Sequence, residues 1–262
     1  MRKDLLVCIA FHYDFKRLVF LEKLIHTFLN TYECSVHIRI DTNCPNSLFF
    51  SVPELIKLNN TLRVEIFTHE NLAHPFHLTW QHRLAMQHQI DQYENFAYFE
   101  DDILLPYENY LNYLENFKLL FPKYVPSFVR IEENEGQQFI TDATEPQELR
   151  VVKIYKLNPY EIGDEYPSGT TKCFALLKNP YHGFWIMPAK ELKETMIPNF
   201  VRLHESRETA ASYPMWELKL TPLVEIEDGQ ISKKCYSYHL PNNYCLSKES
   251  PYAKIKPENL FI

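Results

Sequence analysis

The sequence predicts an α/β protein with a mixed, mostly parallel central sheet flanked by helices. Short apolar runs alternate with helix-period segments through the first half of the 262 residues, the pattern that parallel strands joined by crossover helices leave. The fourth run ends directly on three carboxylates, Glu100, Asp101 and Asp102. Glycine is scarce, with five residues in all. That excludes the glycine-rich phosphate loops of dinucleotide-binding and P-loop proteins, which need several glycines close together.

Leu5 to Phe11 reads as the first strand. Phe15 to Tyr32 carries a helical pattern through Leu18, Leu21, Leu24, Ile25 and Phe28. Val36, Ile38 and Ile40 alternate with His37 and Arg39 in a second strand that ends on Asp41. A short helix over Pro53–Asn59 and a strand over Leu62–Phe67 follow. Leu78 to Tyr93 reads as a helix, and Phe96 to Phe99 as the strand that delivers the acidic triplet. Tyr107 to Phe121 is a helix before Pro122. In the second half, Phe128–Ile131 and Val151–Leu157 predict strands around a polar loop or hairpin from Glu132 to Glu148. Tyr160 to Thr171, with Gly163, Pro167 and Gly169, predicts a mobile connection. Phe174–Leu177 and Phe184–Met187 are short strands, Pro188–Met196 a helix with proline in its first turn, and Cys235 to Ile262 mostly loop. No repeat or low-complexity linker divides the chain, so a single domain is expected.

The formal charge of −7 argues against a nucleic-acid binder, which advertises a basic face. No apolar run approaches the roughly 18 residues that cross a bilayer. The opening MRKDLLVCIAFHYDF lacks a small-residue cleavage site, and a cytoplasmic protein is expected. The six cysteines contain no CxxC pair and read as reduced and structural.

Three adjacent carboxylates repel one another, so at a strand end they call for a cation, strong donors or water. A solvated acidic turn would satisfy them. The buried strand before them and the helix after them favour a metal site, because open α/β sheets bind ligands at the carboxyl ends of their strands.

Strand, Glu100-Asp101-Asp102, then an apolar segment at Ile103-Leu104 resembles the acidic metal motif of GT-A-fold glycosyltransferases, and in particular the EDD form of N-acetylglucosaminyltransferase-like enzymes. HGFWIMPAKELKE, His182 to Glu194, resembles the strand and helix that lie beside donor sugar and acceptor in that fold, with Trp185 at its centre. The resemblance implies a nucleotide-binding half over residues 1–125, and an acceptor-binding half with a C-terminal loop over 126–262. It implies a nucleoside-diphosphate sugar donor, UDP by default, a glycan or lipid-linked acceptor, and Mn²⁺ or Mg²⁺ on the diphosphate. Peripheral membrane contact is compatible with such an acceptor. Asp102 would ligate the metal, Asp101 would contact the ribose or the metal through water, and Glu100 would lie near the donor sugar. His239, in the late segment YSYHLPNNYC, matches the position from which the fold often supplies a further ligand; it reads equally as a packing histidine.

The nucleotide would lie across the ends of the first strands. Phe11, His12 and Tyr13 either stack on a base or pack in the core, and Asp41 would read a base or ribose. Arg83, one helical turn beyond Thr79, either approaches the diphosphate or is a solvated helix residue. His74, His77 and His82 in HPFHLTWQHR lack zinc-site spacing. An inverting displacement needs a base for the acceptor hydroxyl. Glu208 is the first candidate and Glu205 the second, with a charged first helical turn as the other reading. The tail carrying Lys254 either folds over the diphosphate or is solvated. A metal-dependent phosphoesterase or nucleotidyltransferase, and a non-catalytic nucleotide-sugar-binding protein, are the competing functions.

Overall fold

An unbroken apolar run builds the strand on which the first sheet is centred. From Leu5 to Phe11 every side chain is buried, as a parallel strand covered on both faces requires. The computed structural model describes residues 3–155, 171–196, 200–203 and 206–262. The chain divides into two compact units: Met1–Tyr107 with Gly183–Leu218, and Glu108–His182 with Lys219–Ile262. These bounds differ from the halves read from the sequence, because the chain returns to the first unit at Gly183.

The first unit holds β1 (Lys3–Phe11), β2 (Val36–Thr42), β3 (Val64–Thr68), β4 (Tyr93–Glu100) and β5 (Phe184–Pro188) in the order β5-β4-β1-β2-β3. The first four run parallel, and β5 runs antiparallel to β4 with Phe184 opposite Phe99. This is the mixed, mostly parallel α/β architecture that the alternation predicts. The helix Leu18–Asn30 buries Leu18, Leu21, Leu24, Ile25 and Phe28, the predicted stripe. Phe28 meets Phe99 edge-on at 5.1 Å, and Phe99 stacks on Phe184 at 5.0 Å.

Several elements differ from expectation. The helix expected over Leu78–Tyr93 is a 3₁₀ turn, Pro75–Trp80, followed by a short helix, His82–His88. His74 Nδ1 accepts from the Phe76 N–H and starts the turn, whereas Tyr93 already belongs to β4, paired with Lys3. The third strand begins at Val64 because Arg63 before it takes a left-handed φ of 71°. The C-terminal region is more than loop: Tyr236–His239 is a strand.

In the second unit Thr171–Leu176 pairs antiparallel with Val151–Tyr155 and with Thr221–Glu227, a strand not expected from the sequence. Val129–Asn134 and Gln137–Ile140 form the hairpin expected within the polar stretch. Glu135 (φ 52°) and Gly136 (φ 72°) make its turn, two left-handed residues whose twist suits a two-residue hairpin. The connection expected over Tyr160–Thr171 lies outside the described residues up to 170.

Arg83 shows how the first unit is locked. It is fully buried, with its guanidinium carbon 4.2 Å from the Trp80 ring centroid, 5.0 Å from Tyr213 and 5.1 Å from Phe200. Its Nη1 lies 2.6 Å from Glu217 Oε1 and donates to the Phe200 carbonyl at 3.2 Å. The Glu217 contact is an ion pair without hydrogen-bond alignment, so the aromatic faces carry part of the cation's stabilisation. Arg83→Met is expected to cost about 3–5 kcal/mol by stranding Glu217, and adding Glu217→Leu to recover much of that. Urea unfolding of the two variants checks it.

Candidate active site

The acidic triplet leaves the sheet beside β1, where Glu100 aligns with Ala10. Asp101 and Asp102 form a turn and are 4% and 7% exposed. Two adjacent carboxylates at that burial need a positive partner, and Arg17 provides it. Arg17 Nε donates to Asp101 Oδ2 at 2.9 Å, and its Nη2 donates both to Asp101 Oδ1 and, at 2.9 Å, to Asp102 Oδ2. The Phe15–Arg17 turn that carries it is capped by Asp14, whose side chain accepts from the Lys16 N–H. Burial pushes the Asp101 carboxyl up to about 7, with Arg17 pulling it back and the Asp102 charge adding to the rise. Hydrogen bonding to Asp101 holds Arg17 firmly charged. One third of the Arg17 side chain remains exposed, so an incoming anion can reach it.

Gly183 closes one side. Its carbonyl accepts from the Glu100 N–H at 3.0 Å. Its φ is +73°, and a Cβ there would lie 2.8 Å from Ile103 Cγ1 and 3.1 Å from Glu100 Oε2. Glycine is required both by the backbone and by the approach of Glu100.

His12 follows β1 with its buried Nε2 lacking a hydrogen-bond partner. Burial lowers its pKa, and the charges of Arg17 and Arg207 lower it further. Arg207 opens the short helix Arg207–Ala210, capped by Ser206 and packed on the Pro75–Trp80 turn. Glu208 on that helix is exposed; its Oε1 accepts from Arg207 Nε at 3.3 Å and its Oε2 from Ser206 Oγ at 3.2 Å. Burial alone would raise its pKa, but its own backbone N–H, Arg207 and Ser206 hold it below the ordinary carboxylate value. Glu205 lies outside the described residues.

The structure thus brings Glu100, Asp101, Asp102 and His12 to one strand-end region of the first unit, with Arg17 and Arg207. The other expected residues are buried or already engaged, or belong to the second unit. Phe11 is fully buried, edge-on to Tyr13 at 6.2 Å, and Tyr13 donates its N–H to Asn43. Asp41 is buried, gripped by Arg39 through Nε and Nη2 and by His69 Nε2 at 2.7 Å. Arg83 has no exposed surface, so a diphosphate contact would require its cage to open. Trp185 is buried too, its indole N–H donating to the Ala210 carbonyl at 3.0 Å; it anchors the segment bearing Glu208 and offers no face to a sugar. In the second unit His239 Nδ1 lies 2.6 Å from Glu132 Oε1, and Lys254 Nζ donates to the carbonyls of Ser247 and Tyr244.

Arg17, Arg207 and Gly183 are further residues of this region that the sequence reading does not single out. Asp14 ahead of Lys16-Arg17 was the local sign of a capped turn after the first strand, and Gly183 stood in the quoted second segment.

Among the described residues no group of three or more His, Cys, Asp or Glu side chains could hold a metal, so an all-protein cage does not fit. A hard cation using one or two carboxylates, with phosphate oxygens and water completing its shell, does fit, since Asp101 and Asp102 already converge on one positive group.

No protein-family profile matches the sequence, and no curated protein matches it. Among solved structures, 4-diphosphocytidyl-2C-methyl-D-erythritol synthase superposes with a TM-score of 0.41 at 11% identity, covering 85% of this chain and 88% of that one. The S. aureus TarS segment 1–349 superposes with a TM-score of 0.45 at 12% identity, covering 92% of this chain. The chain spans only 62% of that TarS segment. No residue role is drawn from either likeness.

His182, within the HGFW segment, is buried with its Nδ1 2.8 Å from the Pro180 carbonyl. Burial lowers its pKa to about 4. The unfolded chain therefore takes up this proton first, and stability falls as pH drops from 6.5 towards 4, by about 3 kcal/mol in full. His182→Phe is expected to lose less stability than the parent between pH 7 and pH 5 in urea melts, and equal losses would reject the assignment.

Proposed function

We propose that the chain is a glycosyltransferase that moves a sugar from a nucleoside-diphosphate donor, UDP-linked, to a hydroxyl of a glycan or lipid-linked acceptor with inversion. The observation that carries this reading is the buried Asp101–Asp102 pair held by Arg17 at the carboxyl end of a mostly parallel sheet. An all-basic strand end would suit a free phosphate. Paired carboxylates with an adjustable cation suit a diphosphate that arrives with its own counter-ion. When bound, Mn²⁺ or Mg²⁺ on Asp102 and Asp101 would supply charge against the departing diphosphate.

The protein groups then have separable tasks. Arg17, released from the carboxylates, turns its fork to phosphate oxygens, a geometry guanidinium matches well. Arg207 adds positive potential at His12. Glu100, held over Gly183, lies where a hydroxyl of the donor sugar would be gripped. Glu208 is ionised at neutral pH and exposed, so it can accept the proton of the acceptor hydroxyl as that oxygen attacks the anomeric carbon. Asp41 reads the nucleoside once Arg39 or His69 yields part of its hold.

Asp102→Asn is expected to weaken donor binding at least ~10-fold and turnover at least ~100-fold. Glu208→Gln should lower kcat by ~100-fold or more with donor affinity retained. Calorimetry with nucleotide sugars, with and without Mn²⁺, and product analysis decide it. Release of a nucleoside monophosphate and a sugar 1-phosphate in place of a nucleoside diphosphate would move the reading to a phosphoesterase.

A further inference from the structure

The parallel strands of the first unit that end at the acidic cluster begin at a pocket of about 450 Å³. That volume falls within the roughly 300–1,000 Å³ typical of small-molecule sites. Lys3, His37, Arg39, Arg63, Glu65 and Gln92 are among its lining residues. The strand register explains the convergence: Lys3 is opposite Tyr93, Leu6 opposite His37, and Arg39 opposite Glu65. Three permanent cations and an imidazole therefore meet one carboxylate.

Arg39 is already committed to Asp41 and stacks on Phe67 at 3.8 Å. Among the described residues neither Lys3 nor Arg63 makes an ion pair, and both charges bear on His37, opposed there by that of Glu65. Lys3 Nζ sits 5.4 Å from the Tyr93 ring centroid. Converging like charges with so little internal compensation are satisfied by an anion from solution.

Arg63 supplies an independent sign. Its φ of 71° is left-handed, a conformation that costs a side chain roughly 1 kcal/mol and that glycine adopts freely. The backbone there is needed, since the Arg63 carbonyl accepts from the Ile38 N–H at 2.8 Å. Glycine would meet that need without strain. An arginine in its place puts a guanidinium at the mouth of the pocket.

We propose that this pocket is a second, anion-selective site that binds a phosphorylated small molecule through Lys3, Arg63, His37 and Gln92, apart from the acidic cluster at the opposite strand ends. It does not depend on the glycosyltransferase reading.

The test titrates the whole chain with inorganic phosphate and with glucose 1-phosphate, following the His37 ring resonances by NMR and the heat by calorimetry. An Asp102→Asn background removes the acidic end from consideration. Saturable binding that moves the His37 signals is expected. Arg63→Gly keeps the left-handed backbone, so it should melt at or above the parent's temperature while weakening phosphate binding at least about tenfold. Lys3→Gln should weaken it in the same direction. Absence of saturable binding in the parent would overturn the proposal, as would equal affinity in both variants.

Discussion

Everything at the carboxyl end of the first sheet depends on one guanidinium between two buried neighbours. Asp101 and Asp102 are consecutive, so the backbone forbids their separation. Their burial forbids leaving them to solvent, so a charged donor must reach both. Arg17 resolves this with hydrogen bonds to both carboxyl groups, and in doing so it ties the turn after β1 to the turn after β4. A surface ion pair would contribute little. Here the carboxylates are buried and the arginine is partly exposed, which makes the cation the replaceable member. A divalent ion would compete with Arg17 for the carboxylates, and a phosphate would compete with the carboxylates for Arg17, at the side that solvent reaches.

The carboxylate half of this site was legible in the sequence and the cation half was not. Phe96–Phe99 had to be a strand, and Glu100–Asp102 had to be its end, because a continuous apolar run meeting three charges leaves few alternatives. Arg17 lies 84 residues from Asp101, and nothing in FHYDFKR says which of two basic residues turns back to the sheet. The helices followed the same logic. Leu18 to Phe28 carried a period that only one face could bury, while Leu78 to Tyr93 carried apolar residues that turned out to serve a 3₁₀ turn, a short helix and the start of a strand. Periodicity does not report such breaks. They are set by Pro75, by the His74 cap and by the pairing of Tyr93 with Lys3. The missed strand Thr221–Glu227 contains Pro222, which speaks against a strand locally; it is tolerated near the start, opposite Val125 of the short Tyr124–Pro126 strand.

Arginine has three different tasks in the first unit, and exposure separates them. Arg83 is sealed among Trp80, Phe200 and Tyr213 and serves the fold. Arg17 bridges buried carboxylates from a partly open position and can change partners. Arg39 stands between these cases. It packs flat on Phe67 and grips Asp41 two residues further along the same strand. Alternation along a strand places such i and i+2 residues on one face. The arginine is therefore both a wall of the basic pocket and the keeper of a carboxylate nearer the other end of the sheet.

That arginine lines the basic pocket and holds Asp41 at the same time. Asp41 accepts from Arg39 and from His69, so its charge is matched while both remain. Arg39 spends its Nε and Nη2 on Asp41 and its face on Phe67, so an anion in the basic pocket falls to the other cations lining it, Lys3 and Arg63. Whatever hold Arg39 gives up on Asp41 must be made good by His69 or by a ligand at the carboxyl ends, because a carboxylate this buried is costly to leave uncompensated.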